Sequence, residues 1–279
     1  MNRLVSLLDT ADIGISRFDH PRGQPHQDPA EEVSREFSIN RVESGSFDIQ
    51  VGSQRWTLGP GHVFLCGPGL AYRCHHHELL PVDVCLAITY SARSLREEGA
   101  EDDLTDLRRL AFTNPVLPPS NRLAYLFRPI ASSAYVTENP MAAESVATAL
   151  LAEIRVGVES NRRLYTEHQL DWYAERIDAA RRLLEQDYAA QHCLATLARR
   201  VGMSTFHFAR VFSELAGAPP HRYLQRVRLD EAARRLHQGA SVTEACFNSG
   251  FRNLSHFIRT FQRRFGTSPG KYRPLAGRV

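Results

Sequence analysis

The chain has 279 residues, 43% of them hydrophobic, which is enough length and apolar surface for two domains with separate cores. Its net charge of +3 conceals an asymmetry, because residues 188–279 hold 15 Lys and Arg against 4 Asp and Glu and leave a balance of −8 for residues 1–187. No stretch reaches the roughly 18 apolar residues of a membrane span, and the five cysteines are an odd number, so we expect a cytoplasmic protein without a membrane partner or a disulfide scaffold.

Residues 1 to about 35 show no clear hydrophobic periodicity. From Phe37 onward, apolar residues alternate with polar ones in short segments that glycine-containing turns separate, as in 47–51 and 54–58. An apolar run at 63–66 and a segment at 82–90 continue the pattern. Short strands separated by such turns predict a small antiparallel barrel.

Cys74 is followed by three histidines, His75, His76 and His77, and Cys66 and Cys85 lie in neighbouring segments. A metal site or thiol sensor is one interpretation. The alternative is a surface histidine run at the end of a strand, which we favour because consecutive strand residues point to opposite faces.

Two amphipathic helices are predicted at 121–135 and 141–156. They follow a proline-rich connection at 114–120, and a segment without large apolar clusters at 160–167 reads as a linker. The helices either make a dimer contact or only close the barrel.

The C-terminal region contains one sequence pattern twice. Six residues recur with the same identity 49 positions later: Phe208, Arg210, Phe212, Gly217, Pro220 and Tyr223 as Phe257, Arg259, Phe261, Gly266, Pro269 and Tyr272.

Each copy predicts a short helix with one buried face, since its phenylalanines fall at helical spacing. Ser204 and Asn253 stand at N-cap positions, and Gly217 and Gly266 stand where a helix ends. A further short apolar segment closed by glycine precedes each helix, so each copy reads as a helix-turn-helix unit. The helix predicted between the copies, 219–236, is about 27 Å long and acts as a spacer.

These residues resemble the AraC/XylS family of bacterial transcription regulators. The second unit matches the family's signature closely, at Gly250, Phe251, Ser255, Phe257, Arg259, Phe261, Gly266, Pro269, Tyr272 and Arg273. The first unit matches it at Leu194, Ala195, Met203, Ser204, Phe208, Arg210, Phe212, Gly217, Pro220, Tyr223, Leu224, Arg228 and Leu229. The resemblance implies a DNA-binding domain at 161–279 with helix-turn-helix units at about 190–217 and 240–266.

The strand region resembles the cupin-type sensor domain that many members of this family carry. The likeness is at Gly61-x5-Gly67-Pro68-Gly69-x2-Tyr72, where Tyr72 replaces the metal-binding histidine of the cupin motif, and the H-x-H pair is missing. We therefore expect no metal and no cofactor. The resemblance implies an effector-sensing and dimerisation domain at 1–160, with Tyr72, Cys74 and Cys85 as candidate effector-binding residues.

The faces opposite the buried phenylalanines are predicted to contact DNA, with nearby basic residues against phosphates. The candidates are Thr205, Phe206, Ala209, Arg210, Ser213, Leu254, Ser255, Ile258, Arg259, Gln262, Arg263, Lys271 and Arg273. Whether Arg210 and Arg259 bind guanine or phosphate is open at this point, and Phe206, Leu254 and Ile258 fit either thymine methyls or the core. His207 and His256 are expected to be structural.

We expect an α+β protein of two domains, a cupin-like barrel with a helical dimerisation segment and an all-α domain with two helix-turn-helix units. The predicted function is transcription regulation without enzymatic activity. The predicted partners are double-stranded promoter DNA, a small effector, a second copy of the chain and, for an activator, RNA polymerase. The alternatives are a cupin-type metalloenzyme with an accessory helical domain and a DNA-binding regulator that needs no effector.

Overall fold

The computed structural model describes residues 3–19, 30–76, 83–97, 101–156 and 164–272. The chain divides into two compact units, Met1–Leu164 and Tyr165–Val279. Strands and helices occur together in the first unit, and within the described residues the second unit is entirely helical. The predicted α+β fold class is confirmed.

The strands of the first unit form two sheets. The six-stranded sheet has the order β1-β2-β9-β4-β7-β10, and the four-stranded sheet has the order β3-β8-β5-β6. Every strand pairing is antiparallel. The strands are β1 (Arg3–Asp9), β2 (Ile13–Asp19), β3 (Glu32–Val33), β4 (Phe37–Ser44), β5 (Phe47–Val51), β6 (Gln54–Leu58), β7 (Val63–Cys66), β8 (Ala71–His76), β9 (Val84–Tyr90) and β10 (Val116–Leu117).

The six-stranded sheet has two different faces because side chains alternate along each strand. On β9, Leu86 and Ile88 belong to a core cluster shared with helices. Cys85, Ala87 and Thr89 on the same strand line a cavity. β4 and β7 repeat the alternation, so one face of the sheet packs on helices and the other faces the cavity.

The two N-terminal strands were not predicted. β2 pairs along its whole length with β9, for example Ile15 with Ile88, and both side chains are fully buried. Residues 3–19 therefore form two strands although residues 1 to about 35 show no clear hydrophobic periodicity. Ile13, Gly14, Ile15 and Ser16 do alternate, but the run is short, and its partner strand lies about 70 residues away in the sequence.

The helices of the first unit come after β9. Two of them precede β10 and three follow it. Their bounds are α1 (Ala92–Glu97), α2 (Glu101–Thr113), α3 (Asn121–Phe127), α4 (Ser133–Glu138) and α5 (Pro140–Val156). The predicted single helix at 121–135 is wrong, since α3 ends at Phe127 and α4 begins at Ser133. Pro129 explains the break, because a proline inside a helix removes a backbone donor and clashes with the preceding turn.

The apolar stripe of α5 lies against the six-stranded sheet. Ala143, Ala147, Leu150 and Ile154 are buried in the core cluster that also holds the sheet residues. The Tyr90 hydroxyl donates a hydrogen bond to the Ala147 carbonyl at 2.8 Å. This stripe therefore covers one face of the six-stranded sheet, which leaves open whether other faces of these helices make a dimer contact.

The second unit consists of six α-helices and a short 3-10 helix within its described residues. They are α6 (Glu167–Gln186), α7 (Leu194–Arg200), α8 (Thr205–Ala216), α9 (Pro220–His237), α10 (Val242–Asn248), α11 (Leu254–Phe265) and the 3-10 helix Pro269–Lys271. None of the helices in the described part of the chain is long and apolar enough to cross a membrane.

The sequence repeat is also a repeat of side-chain geometry. Phe208 and Phe212 meet edge to face at 5.4 Å and 61°, and Phe257 and Phe261 meet at 5.5 Å and 61°. In each copy a tyrosine completes the cluster, with ring distances of 5.5 Å for Tyr223 and 5.2 Å for Tyr272. The same three aromatic positions therefore build both cores.

Candidate nucleic-acid interface and barrel cavity

Each helix-turn-helix unit has a glycine in its turn and another after its second helix. Gly202 and Gly250 have φ values of 70° and 85°, and the helix-ending Gly217 and Gly266 have 71° and 69°. These positive φ values favour glycine over other residues. The two turns place α8 after α7 and α11 after α10 with the same local geometry.

The N-caps of the second helices differ. The Asn253 side chain accepts a hydrogen bond from the His256 backbone N–H at 2.8 Å. Ser204 occupies the N-cap of α8 without a side-chain hydrogen bond. The predicted cap positions are both present, but only Asn253 satisfies a free donor of its helix.

The face of α8 opposite its buried phenylalanines is open to solvent. Thr205, Phe206 and Arg210 are exposed, and Ala209 and Ser213 are half-buried. The Phe206 side chain is 83% exposed, so its ring is accessible for contact with a partner. The Ser213 hydroxyl donates to the Ala209 carbonyl at 2.6 Å.

On α11 the exposed residues are polar. Ser255, Arg259, Gln262 and Arg263 are exposed. Leu254 and Ile258 are half-buried and pack against the core of the second unit. Leu254 and Ile258 therefore contribute to the core with the buried part of each side chain, and the remaining part is exposed.

The repeat places different partners beside its two equivalent arginines. Arg210 lies 3.5 Å from Glu214 on the next turn of α8 and donates to the Tyr165 hydroxyl at 3.3 Å. Arg263 occupies the position of α11 that corresponds to Glu214. Arg259 and Arg263 make no hydrogen bond or ion pair with another residue that the structure describes. Thus α11 offers two uncompensated cations, and α8 offers one that is already paired.

Arg264, the basic residue next to Arg263 on α11, is bound within the protein. The Arg264 guanidinium donates to both carboxylate oxygens of Asp230, at 2.6 and 2.9 Å. A bidentate pair of this kind holds the side chain in place. Arg252 and Lys271 are exposed, and Arg273 lies outside the described residues.

The two histidines of the repeat pack against aromatic rings. His207 meets Tyr173 edge to face at 5.3 Å, and His256 lies 6.2 Å from Phe251. Both positions agree with a structural role.

The first unit encloses a cavity of about 410 Å³ between its two sheets, a size typical of small-molecule sites. The candidate effector residues Tyr72, Cys74 and Cys85 all line it. Its other walls come from the cavity-facing positions of β2, β4, β5, β7, β8 and β9. They include Ser16, Phe18, Ser38, Asn40, Val42, Phe47, Ile49, Phe64, Cys66, His76, Ala87 and Thr89, with Glu32 and Asp83 beside them.

The prediction of a surface histidine run is wrong for His76. Its ring is stacked on Phe47 at 5.1 Å, and its Nδ1 lies 2.8 Å from a carboxylate oxygen of Asp83. His76 lines the cavity, while His77 lies outside the described residues. Sequence reasoning also missed Asn40 and Asp83, although Asn40 alternates with the core residue Ile39.

The cavity thiols are neutral. Burial raises the pKa of Cys66 and of Cys85 to about 12 and raises the pKa of Cys74 further above its ordinary value. Protonated thiols are poor nucleophiles and poor metal ligands. Within the part of the chain that the structure describes, no three His, Cys, Asp or Glu side chains are arranged to hold a metal ion.

Comparison with known proteins finds relatives of the C-terminal region. A helix-turn-helix domain family matches residues 197–274. The HTH-type transcriptional regulator Rv1931c of Mycobacterium tuberculosis is 40% identical over 83 residues, which are 29% of this chain and 32% of that protein. The HTH-type transcriptional activator RhaS of Salmonella schwarzengrund is 36% identical over 87 residues, 31% of each chain.

A solved structure, a probable AraC family transcriptional regulator from Rhodopseudomonas palustris, is 28% identical and covers 36% of this chain and 99% of its own, with a TM-score of 0.33. The chain spans about a third of the length of the curated relatives. Residues 197–274 of this chain therefore match a helix-turn-helix domain, and the same region is similar in sequence to HTH-type transcriptional regulators.

Proposed function

We propose that the whole chain is a sequence-specific transcription regulator in which α8 and α11 bind two successive major grooves. A small effector in the barrel cavity controls this activity. The regulator acts as a homodimer through the helical segment at 121–156, and as an activator it would contact RNA polymerase.

The pair of helix-turn-helix units joined by α9 is the observation that supports this function most directly. α9 has 18 residues and is therefore about 27 Å long. Equivalent groove positions on one face of DNA recur every 34–36 Å, or about 10–10.5 base pairs. With the width of the flanking helices added, this spacer suits two grooves one helical turn apart and is too short for two turns.

The two recognition helices should contribute differently. α11 presents Arg259 and Arg263 without partners among the described residues, so both are available for guanine or phosphate. Arg210 on α8 would first have to leave Glu214. The exposed Phe206 on α8 is suited to van der Waals contact with thymine methyl groups. The two halves of the site should therefore differ in sequence and have the same orientation.

A footprint of the full chain on its promoter tests the arrangement. One protein molecule should protect two adjacent major-groove segments on one face of the duplex. Protection of a single segment for each molecule, or a single molecule filling an inverted repeat, would contradict it.

The variant Arg259→Ala tests the role of α11. If Arg259 reads a base, the variant should lose about 1–3 kcal/mol of specific binding and keep its non-specific binding. If the variant instead binds all DNA sequences equally more weakly, and the slope of log affinity against log salt concentration falls by about one, Arg259 contacts a phosphate. Arg182→Ala is the matched control, because Arg182 is an exposed cation on α6 and lies outside both helix-turn-helix units.

The cavity favours effector control over a regulator that needs no effector. Its volume, and its few polar groups within a mainly apolar wall, are typical of small-molecule sites. A metalloenzyme remains the alternative of a different class. Metal analysis of the purified protein distinguishes the two, since the metalloenzyme requires about one equivalent of bound metal.

A further inference from the structure

The polar groups around the barrel cavity are mainly hydrogen-bond acceptors. Three carboxylates line it, those of Asp19, Glu32 and Asp83, and no arginine or lysine does so among the described residues. Arg17 lies beside Asp19 at 3.1 Å and offsets one of these charges. A site with this balance attracts a ligand that carries positive charge or N–H donors, and repels an anion.

Asp83 has an unused acceptor inside the protein. The residue is 7% exposed, and its Oδ2 atom lies 2.8 Å from His76 Nδ1. Its Oδ1 atom is buried and has no hydrogen-bond partner among the residues that the structure describes. A buried carboxylate oxygen without a donor is costly to a folded protein, and a ligand N–H would remove that cost.

Two of the donors beside the cavity, the Asn40 amide and the Tyr72 hydroxyl, are engaged with protein acceptors. The Asn40 amide nitrogen donates to the Ser38 hydroxyl at 2.9 Å and to the Phe64 carbonyl at 3.1 Å. The Tyr72 hydroxyl donates to Glu32 at 2.9 Å. These bonds leave the Asn40 carbonyl oxygen as an acceptor, since it receives no hydrogen bond from the described residues.

The rest of the wall is aromatic and apolar. Phe64 and Tyr72 meet edge to face at 5.3 Å, and Phe47 and Phe18 add further rings. Aromatic faces beside carboxylates are the combination that recognises organic cations, because the ring quadrupole attracts positive charge. The neutral thiols of Cys66, Cys74 and Cys85 supply polarisable surface without adding charge.

We infer that the cavity receives an organic cation, an amine or amidinium whose N–H groups bind Asp83 and whose apolar body lies against the aromatic wall. The inference rests on the proposed effector control and specifies the chemical class of the effector. A carboxylate ligand would be repelled by Asp83 and Glu32, and no arginine or lysine among the described lining residues could bind it.

Three probes with one apolar body separate the possible classes: 4-phenylbutylamine, 4-phenylbutanol and 4-phenylbutanoate. Binding of each to the full chain is measured by calorimetry and by the shift in melting temperature, which rises with ligand concentration over Kd. We expect the amine to bind about tenfold to hundredfold more tightly than the alcohol, the range for one added hydrogen bond to a charged group, and the carboxylate to bind most weakly. This ranking needs no variant, so it does not depend on how well a variant folds.

Asp83→Asn removes the charge with little change in shape. The variant should lose most of its preference for the amine over the alcohol, although Glu32 and Asp19 still line the cavity, and its retained alcohol binding shows that the cavity is intact. Glu36→Gln is the control, because it removes one exposed carboxylate of the same unit that does not line the cavity. It should keep the preference for the amine.

Equal or tighter binding of the carboxylate or the alcohol by the wild-type chain overturns the inference, as does an Asp83→Asn variant that keeps the full wild-type preference for the amine. Failure of all three probes to bind at millimolar concentration also overturns it. Footprints on the same samples keep this result separate from the proposed function. A two-groove footprint without amine preference refutes the ligand class alone, and a single-groove footprint refutes the DNA-binding arrangement whichever probe binds.

Discussion

Replacing Gly250 by alanine should destabilise the second unit much more than the same change at Gly202. Both glycines occupy the turn of a helix-turn-helix unit at positive φ, 85° and 70°. An L-residue in this conformation costs about 1–2 kcal/mol, and the reduced freedom of the unfolded chain returns about 0.4–1 kcal/mol. The backbone conformation alone therefore predicts a net loss of about 1 kcal/mol at each position.

The surroundings of the two glycines differ. A Cβ atom at Gly250 would lie 2.8 Å from the Ala189 Cα atom and 2.9 Å from its carbonyl oxygen, whereas one at Gly202 meets nothing within 4 Å. The backbone near Ala189 cannot move away easily, because Arg228 donates to the carbonyls of Tyr188 and Ala190 at 2.7 and 2.8 Å. Overpacking of this kind costs about 1–3 kcal/mol, so Gly250→Ala should lose about 2–4 kcal/mol in total.

Urea unfolding of the fragment 161–279, followed by the fluorescence of its single tryptophan, Trp172, measures both values. Gly202→Ala is the matched control, since it carries the same backbone strain without the contact. Equal losses in unfolding free energy would refute the reasoning, because they would show that the close approach to Ala189 contributes nothing.

Three other predictions concern reactivity, binding and assembly. At pH 8 Cys193 should react with a thiol reagent before the three cavity thiols. Hydrogen bonds from the Thr196 and Ala195 backbone lower the pKa of Cys193, whereas burial raises that of the others, and faster labelling of a cavity thiol by mass spectrometry would contradict this. Phe206→Ala should weaken specific DNA binding by about 1–3 kcal/mol without lowering the melting temperature, and a drop in melting temperature would mean that the ring packs inside the protein. The fragment 161–279 should fold and sediment as a monomer, and dimerisation at micromolar concentration would move the proposed interface into the C-terminal unit.

The helix-turn-helix units were predictable because their information is local. Caps, glycine turns and phenylalanine spacing all lie within about 20 residues, and the duplication shows the pattern twice. α6 begins at Glu167, at the end of the predicted linker 160–167, where Thr166 and Gln169 form a capping box. That signal is also local and was overlooked.

The cavity chemistry could be predicted only in part. Tyr72, Cys74 and Cys85 were named as effector candidates, but whether they bind an effector is a proposal. Asp83 and His76 could not be paired from the sequence, since their contact depends on the spatial approach of β8 and the residue before β9. Long-range pairing of this kind leaves no periodic pattern in either segment.

Arg210 and Arg259, which occupy equivalent positions of the repeat, illustrate a limit of reasoning from a repeat. Identical residues at equivalent positions imply identical roles only if their neighbours are also repeated. Glu214 and Arg263 differ, and this one difference changes the charge beside each arginine.

The alternating faces of β4, β7 and β9 separate two kinds of evolutionary change. A substitution at Cys85, Ala87 or Thr89 alters the cavity wall and leaves the helix-packed residues Leu86 and Ile88 untouched. Specificity for a ligand can therefore diverge at every second position while the stability of the sheet is conserved. A one-residue insertion has the opposite effect, because it exchanges the two faces of the strand beyond it. Homologous barrels that recognise different ligands should accordingly differ by substitutions in these strands and by insertions only in the turns between them.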